Sequence, residues 1–380
     1  MASLSLAAIH NAKLIVIKIG SSLLIKDGQM NTQWVSALID DVAACHARGQ
    51  KVVLVSSGAV ALGRAALNVG ARPLTLEESQ AAAAAGQIAL AHGWQSLLEK
   101  KHMVAAQILL TVDDTEQRRR YLNARATLKT LLQLNAVPII NENDTVATQE
   151  LRYGDNDRLA ARVASMVGAD CLLLLSDIDG MYRHAPEAGQ TPDPDDHIDV
   201  IDELTSEIIN MAGDAGSPHG SGGMKTKLEA ARLAGEGGCD MVLASGKPIR
   251  PIQALETGAR STFFKAKNAP YSARKSWIAG ALTPTGKLKI DVGAYDALSD
   301  GSSLLCVGIT AIEGSFERGD CVLIIGPDDH EIGRGLSAYS ADDAHLIIGK
   351  QRAEIENILG YSGRSEIIHR DDLILNKEEL

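Results

Sequence analysis

The sequence predicts an α/β protein: an open, mainly parallel sheet sandwiched by helices up to about residue 260, followed by a small all-β barrel or sandwich. Three observations carry this. Short apolar runs alternate with longer Ala- and Leu-rich stretches of helical spacing, the rhythm of repeated βαβ units. The apolar runs lack polar alternation, Leu-Leu-Leu-Leu at 172–175 most plainly, as parallel strands covered by helices on both faces require. After about Arg260 the texture changes to short β-type runs punctuated by Gly286, Gly293, Gly301, Gly314, Gly319 and Gly333.

Taken in order, the strands are expected at Leu14 to Ile19, Val52 to Val55, Val104 to Leu110, Val137 to Ile140, Leu172 to Leu175 and Met241 to Ala244. Between them, Asn31 to His46, Glu77 to Lys101, Thr115 to Leu134 and Asp157 to Met166 carry helix-forming composition and spacing, and Leu228 to Ala234 adds a further helix. His184 to His197 holds Pro186, Pro192 and Pro194 among acidic residues, which suits a mobile surface loop better than a regular element. Later β runs fall at Leu288 to Val292, Leu304 to Thr310 and Cys321 to Ile325. The expected division is an N-terminal extension at 1–12, the α/β domain at 13–262, a linker at 263–282, the β domain at 283–361 and a tail at 362–380.

A chain of 380 residues exceeds what one core usually organises, and 45% hydrophobic residues supply real cores for two or three domains. The 48 acidic residues against 37 basic ones give a net charge of −11, which disfavours a broad nucleic-acid footprint or attraction to an anionic membrane. With 3% aromatic residues there are few platforms for stacking bases. Small anionic ligands must therefore meet local positive groups. Cys45, Cys171, Cys239, Cys306 and Cys321 are scattered without a Cys-x-x-Cys pair, which fits core thiols in a reducing compartment. Neither a secretory leader nor a run of membrane-spanning length is evident, so a cytoplasmic location is expected.

Five places concentrate chemistry. Lys18 lies inside the first apolar run, just before Gly20-Ser21-Ser22; it reads either as a phosphate-contacting cation or as an edge-strand lysine reaching water. Ser56-Ser57-Gly58-Ala59 ends the second strand, where open α/β sheets build ligand crevices, although an ordinary turn with a serine cap gives the same residues. Asn141-Glu142-Asn143-Asp144 and Gly154-Asp155-Asn156-Asp157 follow the fourth strand; capping explains part of the second cluster, and holding an ammonium group and ordering lysines is the alternative. Ser176-Asp177-Ile178-Asp179-Gly180 ends the fifth strand and suits nucleotide or metal contacts, although a tight turn explains much of it too. Most specific is Gly220-Ser221-Gly222-Gly223-Met224-Lys225-Thr226-Lys227, a glycine-rich loop offering N–H groups, a hydroxyl and two lysines to polyphosphate. Met224 separates Gly223 from Lys225, so this is no Walker A loop, and no Gly-x-Gly-x-x-Gly follows the first strand.

In their order and spacing, Lys18 with Gly20-Ser21-Ser22, Ser56-Ser57-Gly58-Ala59, Asn141-Glu142-Asn143-Asp144, Gly154-Asp155-Asn156-Asp157 and the loop Gly220 to Lys227 resemble the amino acid kinase family over nearly the whole chain, and the C-terminal part looks like a PUA domain. Within the family they are most similar to the enzymes that phosphorylate the γ-carboxylate of L-glutamate, since aspartate kinases would be expected to end in ACT domains. The resemblance implies that Lys18, Ser176, Asp177, Ser221, Gly222, Gly223, Met224, Lys225, Thr226 and Lys227 bind ATP, and that Ser57, Gly58, Asn141, Asp144 and Asn156 bind glutamate. Lys18 and Lys227 would stabilise the transferring phosphoryl group, with Asp157 positioning them; Lys225 stands where relatives can carry an uncharged residue, which leaves its share of phosphate binding open. Mg²⁺ would be bound chiefly through the ATP phosphates. The resemblance further implies a product, L-glutamyl 5-phosphate, passed to glutamyl phosphate reductase in proline biosynthesis, with proline as feedback inhibitor. Apolar helix faces suggest a homodimer or homotetramer. The rivals are a sister kinase acting on N-acetylglutamate, aspartate, carbamate or UMP, and an RNA-binding protein using its PUA-like domain. Against the last, residues 286–360 hold 13 acidic and 6 basic residues, a net of −7.

Overall fold

A computed structural model describes residues 3–146, 155–184, 193–211, 223–270, 272, 275, 278, 283–361 and 363–376, with Asp155 described by its backbone alone. The chain divides into two compact units, Met1–Pro270 and Tyr271–Leu380.

The first unit is built on eight strands: β1 (Leu14–Ile19), β2 (Lys51–Val55), β3 (Ala105–Leu110), β4 (Val137–Glu142), β5 (Cys171–Ser176), β6 (Val200–Ile201), β7 (Asp240–Ser245) and β8 (Ser261–Phe264). They lie in the order β6-β8-β7-β5-β1-β2-β4-β3, parallel throughout except where β8 runs antiparallel to β7. Six of the eight are the apolar runs of the sequence. The other two escape it because β6 has two residues and β8 four, wholly buried, immediately after Gly258-Ala259-Arg260, where the texture of the sequence changes.

Strand alternation sorts the side chains into two layers. Ile15, Ile17 and Ile19 join Val52, Leu54, Leu173, Leu175 and Val242 in one core with Leu38 and Trp94 from the helices Thr32–Ala47 and Leu76–Glu99. Val16, Val53, Val55, Leu172, Leu174 and Leu243 form the opposite core with Leu128, Val163 and Leu228 from Arg118–Gln133, Asp155–Val167 and Met224–Glu236. The same alternation turns Lys18 toward the Val16 side, beside the last two helices.

Within the expected N-terminal extension lies a helix, Leu4–Asn11, whose Ile9 is buried in the first core. Gln50 Nε2 ties down its end by donating to the carbonyls of Ile9 and Ala12, each at 2.7 Å. Of the proline-rich segment, residues 185–192 lie outside the described residues; its flanks, Met181–Tyr182 and His197–Ile198, pair as an antiparallel hairpin.

The second unit has its own core, including Leu288, Ile290, Val322, Ile324 and Ile368. Its five-stranded sheet runs Ile309–Gly314, Gly286–Ile290, Cys321–Ile325, Glu331–Leu336, Leu373–Leu375. Leu304–Leu305 and Glu366–Ile368 make a separate pair, and three short helices, Val292–Ser299, Ala341–Ile347 and Arg352–Leu359, pack among them. The expected tail therefore contains two strands: Leu373–Leu375 pairs with Gly333–Gly335, a register that three residues of apolar sequence after a polar stretch do not announce. All five cysteines are free and buried. Among the described residues no helix is long and apolar enough to cross a membrane.

Candidate active site

Where the carboxyl ends of β1, β2, β4 and β5 meet, the first unit opens a cleft of about 700 Å³. Its lining brings together Lys18, Ser57, Gly58, Asn141, Asp144, Asn156, Asp157, Ser176, Asp177 and Lys227, ten of the residues singled out in the sequence. Ser221 and Gly222 lie outside the described residues. Gly223, Met224, Lys225 and Thr226 are described but do not line the cleft.

The helix carrying Lys227 begins at Met224, four residues earlier than its apolar spacing indicated, so Lys225, Thr226 and Lys227 sit on a first helical turn rather than on a loop. At about 100° per residue, two positions two apart face nearly opposite ways. Lys225 is accordingly exposed while Lys227 is buried. Thr226 stands behind the cleft, its Oγ1 donating to Gly223 O at 2.9 Å and to Asp157 Oδ2 at 3.2 Å.

Asp157, with a side chain 1% exposed, lies in the first turn of Asp155–Val167. Its Oδ1 faces Lys18 Nζ at 2.6 Å and its Oδ2 faces Lys227 Nζ at 3.5 Å. Two ammonium groups thus gather at one buried carboxylate, that of Lys227 buried and that of Lys18 partly so, and lysine donors lining a cleft suit phosphate oxygens. Ser176 Oγ donates to Asp177 Oδ1 at 3.0 Å at the end of the neighbouring β5.

The other end is rich in acceptors. Asn156 Nδ2 donates to Ser57 Oγ at 2.8 Å, and Asn156 Oδ1 is buried without a hydrogen-bond partner among the described residues. Asn141 Nδ2 donates to Gln87 Oε1 at 2.9 Å, and the Asp144 carboxylate stands on the same wall. Oxygen acceptors gathered this way suit an ammonium donor. Gly58 turns the backbone into the cleft with φ +101°, and a Cβ there would stand 2.8 Å from Ile25 Cγ1, so the position calls for glycine. Behind it Trp94 Nε1 donates to the buried Ser56 Oγ at 3.0 Å.

The sequence reading missed one wall, formed by Arg64 and by Ala71, Pro73, Leu74 and Ser79. Arg64 Nη1 donates to Gly70 O and Arg72 O, each at 2.8 Å, and Arg72 forks onto Glu78 at 2.7 and 2.5 Å. The Arg72 guanidinium holds the Glu78 carboxyl down to about 2. The available signal was Gly70-Ala71-Arg72-Pro73, a Gly- and Pro-containing connection between the helices Ala59–Ala66 and Leu76–Glu99, of the kind that makes surface loops.

Comparison with known proteins accords with this architecture. The profile of the amino acid kinase family matches residues 13–245, and that of the PUA domain matches residues 286–359. A glutamate 5-kinase of Paramagnetospirillum magneticum is 57% identical over 367 residues, covering 96% of this chain and 98% of its own. Glutamate 5-kinase 1 of Rhizobium meliloti is 55% identical over 370 residues, 97% of this chain and 93% of its own. A central parallel sheet, a cleft at its carboxyl edge with a charged triad, and a family match across most of the first unit agree: the chain belongs to the amino acid kinase family.

Proposed function

We propose that this protein is a glutamate 5-kinase, which transfers the γ-phosphoryl group of ATP to the γ-carboxylate of L-glutamate and yields L-glutamyl 5-phosphate and ADP. The observation that carries the reading is the cleft's polarity: Lys18, Asp157 and Lys227 form a positive end, while Asn156 Oδ1 and the wall of Asn141 and Asp144 form an acceptor end. Glutamate offers a carboxylate to the first and an α-ammonium to the second. The names carried by relatives more than 50% identical over nearly their full length support the same substrate.

A glutamate side chain has a reference pKa of about 4.3, so the nucleophile is ionised at neutral pH and needs no general base. One carboxylate oxygen attacks Pγ, the bond from Pγ to the β,γ-bridging oxygen breaks, and ADP departs with that electron pair. The protein's work is to bring two anions into line and to offset the charge on the transferring oxygens. Lys18 and Lys227 do the latter, and Asp157 holds both ammonium groups at fixed positions. Mg²⁺ bound with ATP would supply further charge neutralisation; Asp157 is engaged by the two lysines. Ser176, Asp177 and the segment 221–227 bind the nucleotide, with Lys227 rather than Lys225 meeting phosphate, and Ser57, Gly58, Asn141, Asp144 and Asn156 bind glutamate. The labile acyl phosphate passes to glutamyl phosphate reductase in a cytoplasmic route to proline, which inhibits at the glutamate site, and the enzyme works as a homodimer or homotetramer.

Hydroxylamine trapping of the acyl phosphate in the presence of MgATP tests this, with glutamate, aspartate and N-acetylglutamate compared. Hydroxamate is expected from glutamate alone and is expected to vanish in Lys227→Ala. Product from N-acetylglutamate would overturn the assignment of the acceptor end, and none from glutamate would overturn the function.

A further inference from the structure

An asparagine amide presents a donor at one end and an acceptor at the other, and what it shows a ligand is decided by the neighbour that holds its far end. Asn141, 3% exposed, lines the cleft and commits Nδ2 to Gln87 Oε1 at 2.9 Å. Its remaining Oδ1 is an acceptor only, like the Oδ1 of Asn156, which has no hydrogen-bond partner among the described residues.

Gln87 does not line the cleft, yet its own place is firmly set. It follows Gly86, where the helix Leu76–Glu99 crosses Ala59–Ala66 so closely that a Cβ at residue 86 would stand 1.8 Å from Ala59 O. Two turns further along, Trp94 Nε1 holds Ser56 Oγ at the end of β2. The long helix is thus pinned to the ends of both β2 and β4.

Building on the glutamate reading, we propose that Gln87 is a positioning residue for amino-group recognition: by accepting from Asn141 Nδ2 it keeps Asn141 Oδ1 available to the α-ammonium of the substrate. Without that acceptor the amide is free to rotate and present N–H groups to a cation. The consequence falls on the ammonium contact and spares both the carboxylates and ATP.

The test is steady-state kinetics of the full chain with Gln87→Met and Gln87→Glu, with glutarate, which has both carboxylates but no ammonium, as competitive inhibitor. In Gln87→Met the KM for glutamate is expected to rise about tenfold, the scale of one hydrogen bond to a charged group. The kcat, the KM for ATP and the glutarate inhibition constant are expected to stay within about twofold. Gln87→Glu keeps an acceptor and should restore the glutamate KM. Equal weakening of glutamate and glutarate, an unchanged glutamate KM, or a Gln87→Glu variant as poor as Gln87→Met would overturn the proposal. An unmodified enzyme that makes no hydroxamate from glutamate would instead remove the reading beneath it.

Discussion

Lys18, Asp157 and Lys227 come from a strand and two helices, and none is interpretable without the other two. Lys18 Nζ and Lys227 Nζ share one carboxylate that water hardly reaches. Replacing Lys18 by Met keeps the length of the side chain and removes the charge that faces the transferring group. The kcat is expected to fall by about 10²–10³, the usual cost of one preorganised electrostatic contact. Initial-rate measurements at saturating glutamate and ATP check this, and an unchanged kcat would place Lys18 outside the chemistry. In the sequence Lys18 was legible as an anomaly, a cation within an apolar run. Its partners were not, because 139 and 209 positions separate it from Asp157 and Lys227, and nothing local in a chain records which distant side chain will share its pocket.

At the scale of elements, the cleft depends on how closely two helices approach. A Cβ at Gly63 would stand 1.7 Å from Ala82 O, so Gly63→Ala must push Ala59–Ala66 away from Leu76–Glu99. A destabilisation of about 1–3 kcal/mol is expected, as for overpacking elsewhere. Gly235→Ala is the control. That glycine lies in Met224–Glu236 with open space around it, so the substitution is expected to stabilise by about 0.5–1 kcal/mol. Thermal unfolding of the two variants should move in opposite directions. Helix existence was readable from spacing here, whereas the need for glycine at 63 and 86 belongs to the crossing. The start of Met224–Glu236 escapes the spacing for a related reason: between Met224 and Leu228, both of which pack on the core, stand only Lys225, Thr226 and Lys227, and this polar turn is tied through Thr226 to Gly223 and Asp157.

For the whole molecule, two units with separate cores make separable predictions. Because Leu373–Leu375 completes the second sheet, a fragment 283–376 is expected to show a cooperative thermal transition by circular dichroism at a higher temperature than 283–361. Identical transitions would mean that the last strand contributes nothing. The buried thiols supply a second global readout. Burial pushes Cys45 up to about 11 and Cys306 up to about 12, whereas an unfolded thiol ionises near about 8.5. Between those values the folded chain holds more protons than the unfolded one, so stability falls as pH rises through that window. At pH 8 these two thiols should react with a disulfide reagent only as fast as the protein unfolds; immediate reaction would contradict their burial.

The sequence by itself determined the architecture of the first unit and the roster of most cleft residues. Buried parallel strands must be continuous apolar runs, and functional groups collect in the small-residue turns that follow them, so both leave local marks. Only the tertiary structure decided which lysine faces inward, that Asp157 joins two of them, that Arg64 secures an unsuspected wall, and that Gln87 stands behind Asn141. Each of these is a relation between side chains on different elements. Short strands such as Ser261–Phe264 and Leu373–Leu375 belong to the same class, since hydrogen bonding to a neighbouring strand, rather than their own few residues, makes them strands.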